Sequence, residues 1–270
     1  MTRPSRPEVQ FDVDVSDDDV ASFHENGYLV IDRATTDDEI DWIAAVYDEL
    51  YARPRTGLLD AVYDPSRPYG ATEEPLLGQL LLPERWAPEL RETTLWANAR
   101  RIASRLIDVP LNEIESWGHF VHKPAEVGRV TPWHQDEAYW APEFDYHAVG
   151  SWAPLDDVTI ENGCLWFVPG SHRGPVFEHR HQDDDPAVHV LVADEPDTAG
   201  AVPIPMRRGS VSFHHPRMLH YAGPNTTGRA RRAYANEFQS APITRAERAH
   251  RPWHDEGVAA MQEIMAARSV

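Results

Sequence analysis

The chain has 270 residues, and 25 lysines and arginines against 44 aspartates and glutamates give a formal charge of −19 with histidines neutral. Nucleic acid is therefore not an expected partner, because a polyanion binder needs a basic stripe that neutralises phosphates and releases counterions. The length suits one large domain or two small ones with a full core, and the single cysteine, Cys164, can form no internal disulfide. No apolar run approaches the ~18 residues of a membrane span, and the first ten residues lack the apolar stretch of a signal peptide, so the expectation is a cytoplasmic protein without membrane association.

Residues 1–10, with two prolines and little to bury, read as a flexible tail, and residues 11–270 as one domain. Ser16 before three aspartates, followed by Val20, Phe23 and Gly27, predicts a short capped helix, and YLVI (28–31) predicts a strand. Thr36 with Glu39 forms a capping-box pattern ahead of Ile40, Ile43, Ala44, Tyr47 and Leu50, which recur at helical spacing. A second long helix is predicted from about Pro88 to Ile107. Between them, residues 53–85 are rich in Pro, Gly and Arg and read as an irregular segment of the kind that forms substrate entrances. Short β-rich runs with turn residues between them fill 111–240, and a C-terminal helix is predicted over 244–268. The layout is a helical layer (11–110) on a β core. The single lysine, Lys123, reads as a matter of composition, not chemistry.

Most of the fourteen histidines have no distinguishing context, but Trp133-His134-Gln135-Asp136 does. Residues i and i+2 of a strand face one side, so H-x-D places an imidazole and a carboxylate together, a mixed N,O pair suited to a divalent transition metal. One more histidine from another strand would complete a two-His, one-carboxylate triad with open metal positions. His214, His215 and His220 compete for that place, and the first two have opposite parity.

Four blocks resemble the phytanoyl-CoA dioxygenase family of Fe(II)- and 2-oxoglutarate-dependent oxygenases: FHENGYLVID (23–32), TPWHQD (131–136), ENGCLWFVPGSH (161–172) and HYAGPNTTGRARR (220–232). The resemblance implies a mainly β fold with flanking helices around a double-stranded β-helix, a jelly roll of cupin type. It implies iron on His134, Asp136 and His220, and an arginine eleven residues past the distal histidine, Arg231, for the far carboxylate of 2-oxoglutarate. Strand parity is consistent with this, since Arg231 shares a face with the small residues Ala233 and Ala235, whereas Arg232 shares one with Tyr234 and Phe238. Arg229 and Arg232 are then rim or surface charges. Trp152 and His119 match positions near the co-substrate in relatives, Trp152 competing with an ordinary core role, and Gln79 is a further candidate. Many relatives carry Ser or Thr two residues after the distal histidine. Ala222 stands there instead, so one hydrogen bond is lost or comes from elsewhere, for example from Thr131.

The implied chemistry is oxidation of a small molecule by iron, 2-oxoglutarate and O2, with release of succinate and CO2. Asp136 favours hydroxylation over halogenation, because family halogenases have a small residue there; desaturation, cyclisation and epoxidation stay open. A non-catalytic metal- or ligand-binding cupin-like protein and a zinc hydrolase or isomerase are the competing classes. Tyr139, Trp140 and residues 53–85 and 173–187 are candidates to meet the substrate, whose identity is not legible; nor is the oligomeric state. Residues 207–232 hold six arginines and no acid, so the acidic total does not argue against an anionic ligand at this stretch.

Overall fold

In a computed structural model, residues 4–53, 62–71 and 73–268 are described. Ser16 caps α1 (Asp17–Asn26) in a reciprocal capping box with Asp19, and Gly27 ends it in the left-handed region at φ 82°. β1 (Tyr28–Ile31) follows, then α2 (Asp37–Tyr51), capped by the Thr36 hydroxyl. Glu39 does not close the expected box. Its buried carboxylate instead accepts from Thr94 N (2.7 Å) and Leu95 N (2.9 Å), capping α3 (Thr94–Leu106) from another helix. The long helix expected from Pro88 is therefore shorter: residues Pro88–Glu92 form a 3-10 turn and Thr93 caps α3. Helix α4 (Pro252–Arg268) likewise starts later than 244. Residues 4–10 run against the helical layer, where Trp42 Nε1 donates to Pro4 O (3.0 Å) and Thr94 Oγ1 to Val9 O (3.1 Å).

The remaining strands are β2 (Gly78–Leu81), β3 (Glu115–Lys123), β4 (Thr131–His134), β5 (Phe144–Asp145), β6 (Ala148–Pro154) and β7 (Leu165–Phe167). After them come β8 (His179–His181), β9 (Leu191–Ala193), β10 (Val202–Ile204), β11 (Val211–His214), β12 (His220–Ala222), β13 (Arg231–Gln239) and β14 (Ile243–Thr244). A six-stranded antiparallel sheet, β1-β11-β6-β13-β3-β2, faces a four-stranded one, β10-β7-β12-β4. This is the double-stranded β-helix, mainly β with flanking helices.

Strand parity divides the large sheet. Phe120, Val149, Phe213, Tyr234 and Phe238 point outward into a core shared with α1, α2 and α3. Val121, Trp152, Ala233 and Ala235 point inward to meet Leu165, Phe167 and Ala222 of the small sheet. Helices cover one face of the large sheet, so the other is free to build a cavity. Of the irregular stretch 53–85, residues 54–61 and 72 lie outside those described; the rest includes β2 and several cavity-lining residues.

Candidate metal centre

His134 ends β4 and pairs directly with His220, which opens β12 on the neighbouring strand. Asp136 lies beyond the strand, at the start of a 3-10 turn over Asp136–Tyr139. Gln135 keeps an extended backbone (φ −124°, ψ 133°), so the expected i, i+2 placement survives although the strand has ended. Gln135 is also why the turn holds: its buried side chain donates to Arg217 O (2.8 Å) and Pro175 O (3.3 Å) and accepts from Phe177 N (2.7 Å).

The Nε2 atoms of His134 and His220 lie 3.7 and 3.6 Å from Asp136 Oδ1, and one ligand atom from each of the three residues falls within 4.8 Å of the others. Both Nδ1 atoms are committed to backbone carbonyls two residues back, Pro132 O at 2.7 Å and Met218 O at 2.9 Å. Each ring thus turns an Nε2 lone pair toward Asp136, as a metal site requires. Burial pushes both imidazoles down, His220 to about 3. Burial alone would raise the Asp136 carboxyl, but His220, His214 and His134 outweigh it and hold it below the usual carboxylate range. Neutral imidazoles beside a carboxylate suit a divalent transition metal.

The other two candidate histidines part as parity implies. His214 points inward and donates Nε2 to Asp136 Oδ2 (2.9 Å), a support for the carboxylate and not a member of the triad. His215 lies against His172, with ring centroids 5.3 Å apart.

A cavity of about 360 Å³ opens beside the triad between the two sheets. Arg231 lies in its wall, 1% exposed, with its guanidinium over the Trp152 ring at 5.2 Å from the centroid. Its Nε and Nη1 have no hydrogen-bond partner among the described residues. Burial pushes it down to about 10, still charged at neutral pH. A buried, unpaired guanidinium is costly, so these residues fit a carboxylate ligand. Arg232 faces the other way and pairs with Asp156 (2.7 Å) and Asp48 (2.9 Å). Trp152, His119, Gln79 and Thr131 all line the cavity, and Thr131 is the register partner of Ala222. Burial pushes His119 down to about 4. Tyr139 and Trp140 line it as well, whereas none of residues 173–187 does.

Three features were not legible beforehand. Lys123 is fully buried and donates Nζ to Ala222 O (2.9 Å) and Gly223 O (2.5 Å), anchoring the strand that carries His220; its uniqueness in the chain was the only hint. Glu137 is buried among Arg217, Arg245 and Arg251, the last two of which join it to the C-terminal segment. Glu237 lines the cavity, and its parity with Arg231 on one strand could have found it.

A family model described as Phytanoyl-CoA dioxygenase (PhyH) matches residues 23–233. The chain is 36% identical over 128 residues to Phytanoyl-CoA dioxygenase domain-containing protein 1 of Bos taurus, a match covering 45% of this chain and 43% of that protein. The structure of EvdO2 from Micromonospora carbonacea var. aurantiaca complexed with 2-oxoglutarate superposes with a TM-score of 0.79 at 36% identity, covering 91% of this chain and 98% of that one. The non-heme alpha ketoglutarate dependent carbocyclase SnoK from nogalamycin biosynthesis gives 0.65 at 25% identity, over 86% and 87% of the two chains. With the fold, the His134-Asp136-His220 group and the extent of the match in agreement, the chain belongs to the phytanoyl-CoA dioxygenase family of non-haem iron, 2-oxoglutarate-dependent oxygenases.

Proposed function

We propose that the protein hydroxylates a small molecule, consuming 2-oxoglutarate and O2 and releasing succinate and CO2, with His134, Asp136 and His220 as the iron ligands and Arg231 as the co-substrate clamp. The observation that carries this reading is the orphaned, buried guanidinium in the same cavity as the triad. A plain metal-binding protein has no use for it.

Iron with 2-oxoglutarate and O2 supplies an oxidant able to break an unactivated C–H bond, which no side chain does unaided. The chain supplies geometry. Arg231 would hold a carboxylate of 2-oxoglutarate through its charged N–H groups, with the Trp152 ring against its guanidinium. Pro132 O and Met218 O orient the imidazoles, while His214 occupies Asp136 Oδ2, so that Oδ1 would be free to hold a metal. Val121, Leu165 and Ala222 wall the interior and exclude water.

The test is aerobic incubation with Fe(II), 2-oxoglutarate and ascorbate against a substrate library, scoring succinate and product mass. Hydroxylation adds one oxygen atom. The likeness to SnoK favours ring closure as a second reading, in which the product lacks two hydrogens. His134→Ala should lower succinate formation at least about 100-fold, since even outer partners of metal ligands are worth 10–100-fold. Unchanged succinate formation in that variant would overturn the assignment.

A further inference from the structure

We infer that Glu237 selects the substrate: its carboxyl group hydrogen-bonds a hydroxyl or ammonium of a molecule lying against Trp117, in a space whose described lining offers an anionic group no cation. The inference rests on the reading of Arg231 and the triad given above.

Strand β13 puts Arg231, Ala233, Ala235 and Glu237 on one face, so the clamp and the acid stand about 20 Å apart along one strand. They therefore serve different molecules. Glu237 is 7% exposed, lines the cavity, and its Oε1 has no hydrogen-bond partner among the described residues. Its cross-strand partners are Trp117 on one side and Gly150 on the other. A Cβ at Gly150 would stand 3.0 Å from the His214 ring and 3.2 Å from Glu237 Oε2. The glycine therefore keeps space open between the acid and the histidine that supports Asp136.

Charge decides what enters that space. Iron and Arg231 are balanced by Asp136 and dianionic 2-oxoglutarate, and Glu237 is the one other acid among the described cavity residues. The described lining has no arginine or lysine besides Arg231, so a carboxylate or phosphate ester would bring a negative charge into the interior with no cation to offset it. A hydroxyl can both give to and take from the carboxyl group, and an ammonium would pair with its ionised form. Trp117, stacked on His119 with ring centroids 5.9 Å apart, offers an adjoining ring face for an apolar surface.

The experiment uses protein loaded with Zn(II) in place of iron, plus 2-oxoglutarate, so that nothing turns over. Cyclohexanemethanol, cyclohexanemethylamine and cyclohexanecarboxylate share a ring and differ in the polar group; their saturable binding is followed by ligand-observed NMR. The alcohol, the amine or both should bind at least about ten-fold more tightly than the carboxylate, and Glu237→Ala should weaken that alcohol or amine binding by about the same factor. Glu237→Gln, of the same shape, should keep an alcohol preference if a hydroxyl is the natural group and lose an amine preference if it is an ammonium. A carboxylate that binds as tightly as the other two, no binding of either, or unchanged alcohol and amine affinities in Glu237→Ala overturns the inference. In the same samples, 2-oxoglutarate binding that ignores Arg231→Ala would overturn the underlying reading instead.

Discussion

His134 and His220 each spend one ring nitrogen on a backbone carbonyl, and Asp136 spends one oxygen on His214, so every side chain of the triad retains a single free ligand atom. That division of labour makes His214 a positioning residue. His214→Ala should weaken metal affinity about 10–100-fold in titrations of the apoprotein, with the fold intact; unaltered affinity would show that Asp136 needs no such support. The two neighbouring arginines should separate as cleanly. Arg231→Ala should raise the KM for 2-oxoglutarate at least about 100-fold, because charged bidentate bonds are lost, while Arg232→Ala, which breaks pairs with Asp48 and Asp156 outside the cavity, should change it less than about three-fold. Equal effects would refute the assignment by facing. At this scale the sequence was legible where a family block named the residue and strand parity agreed with it, as for Arg231, whereas Glu237 lies on the same face of β13 in no such block. His214 and Lys123 were not, because their roles depend on which distant atoms the fold brings to them.

Among the elements, the turn after β4 joins the metal site to the C-terminus. Glu137 directly follows Asp136 and accepts from Arg217 Nε (2.6 Å) and Arg251 Nη2 (2.7 Å), and Trp253 Nε1 donates to Ala138 O (2.9 Å). Replacing one partner of such a buried pair leaves uncompensated charge. Glu137→Gln should therefore cost about 3–5 kcal/mol in urea unfolding and should also weaken metal binding. A loss of stability alone would show that the turn holds its shape without this anchor. The strands were well forecast by their β-rich composition and turn residues. Helix starts were less so: Glu39 fits the capping box by spacing, yet its carboxylate goes to α3, a tertiary choice that no local pattern records.

Over the whole molecule, a helical layer, a large sheet and a small sheet enclose a cavity whose cationic wall belongs to the arginine-rich, acid-free stretch 207–232 of an acidic chain. The fold was visible because four blocks span both sheets; the substrate was not, because no single block builds the cavity mouth. The same interior should make stability depend on acid. Burial pushes His119, His179, His189 and His215 down to about 4, from 6.5. Between those limits the unfolded chain binds more protons than the folded one, so stability falls as pH drops from 6.5 toward 4, by on the order of 1 kcal/mol per histidine per pH unit. Glu237, held well above the usual carboxylate range by burial and by Asp136, works in the opposite direction but is outnumbered. The Tm of the apoprotein should fall steeply between pH 6.5 and 5, and a flat profile would contradict the buried, neutral histidines.

Anaerobic calorimetry of 2-oxoglutarate with wild-type protein, Asp136→Ala and Arg231→Ala, each with and without Fe(II), tests the site most directly. Tight binding should require both iron and Arg231, with one iron bound per wild-type chain and none held by Asp136→Ala. Binding that is equally tight in all three proteins, or indifferent to iron, would contradict it.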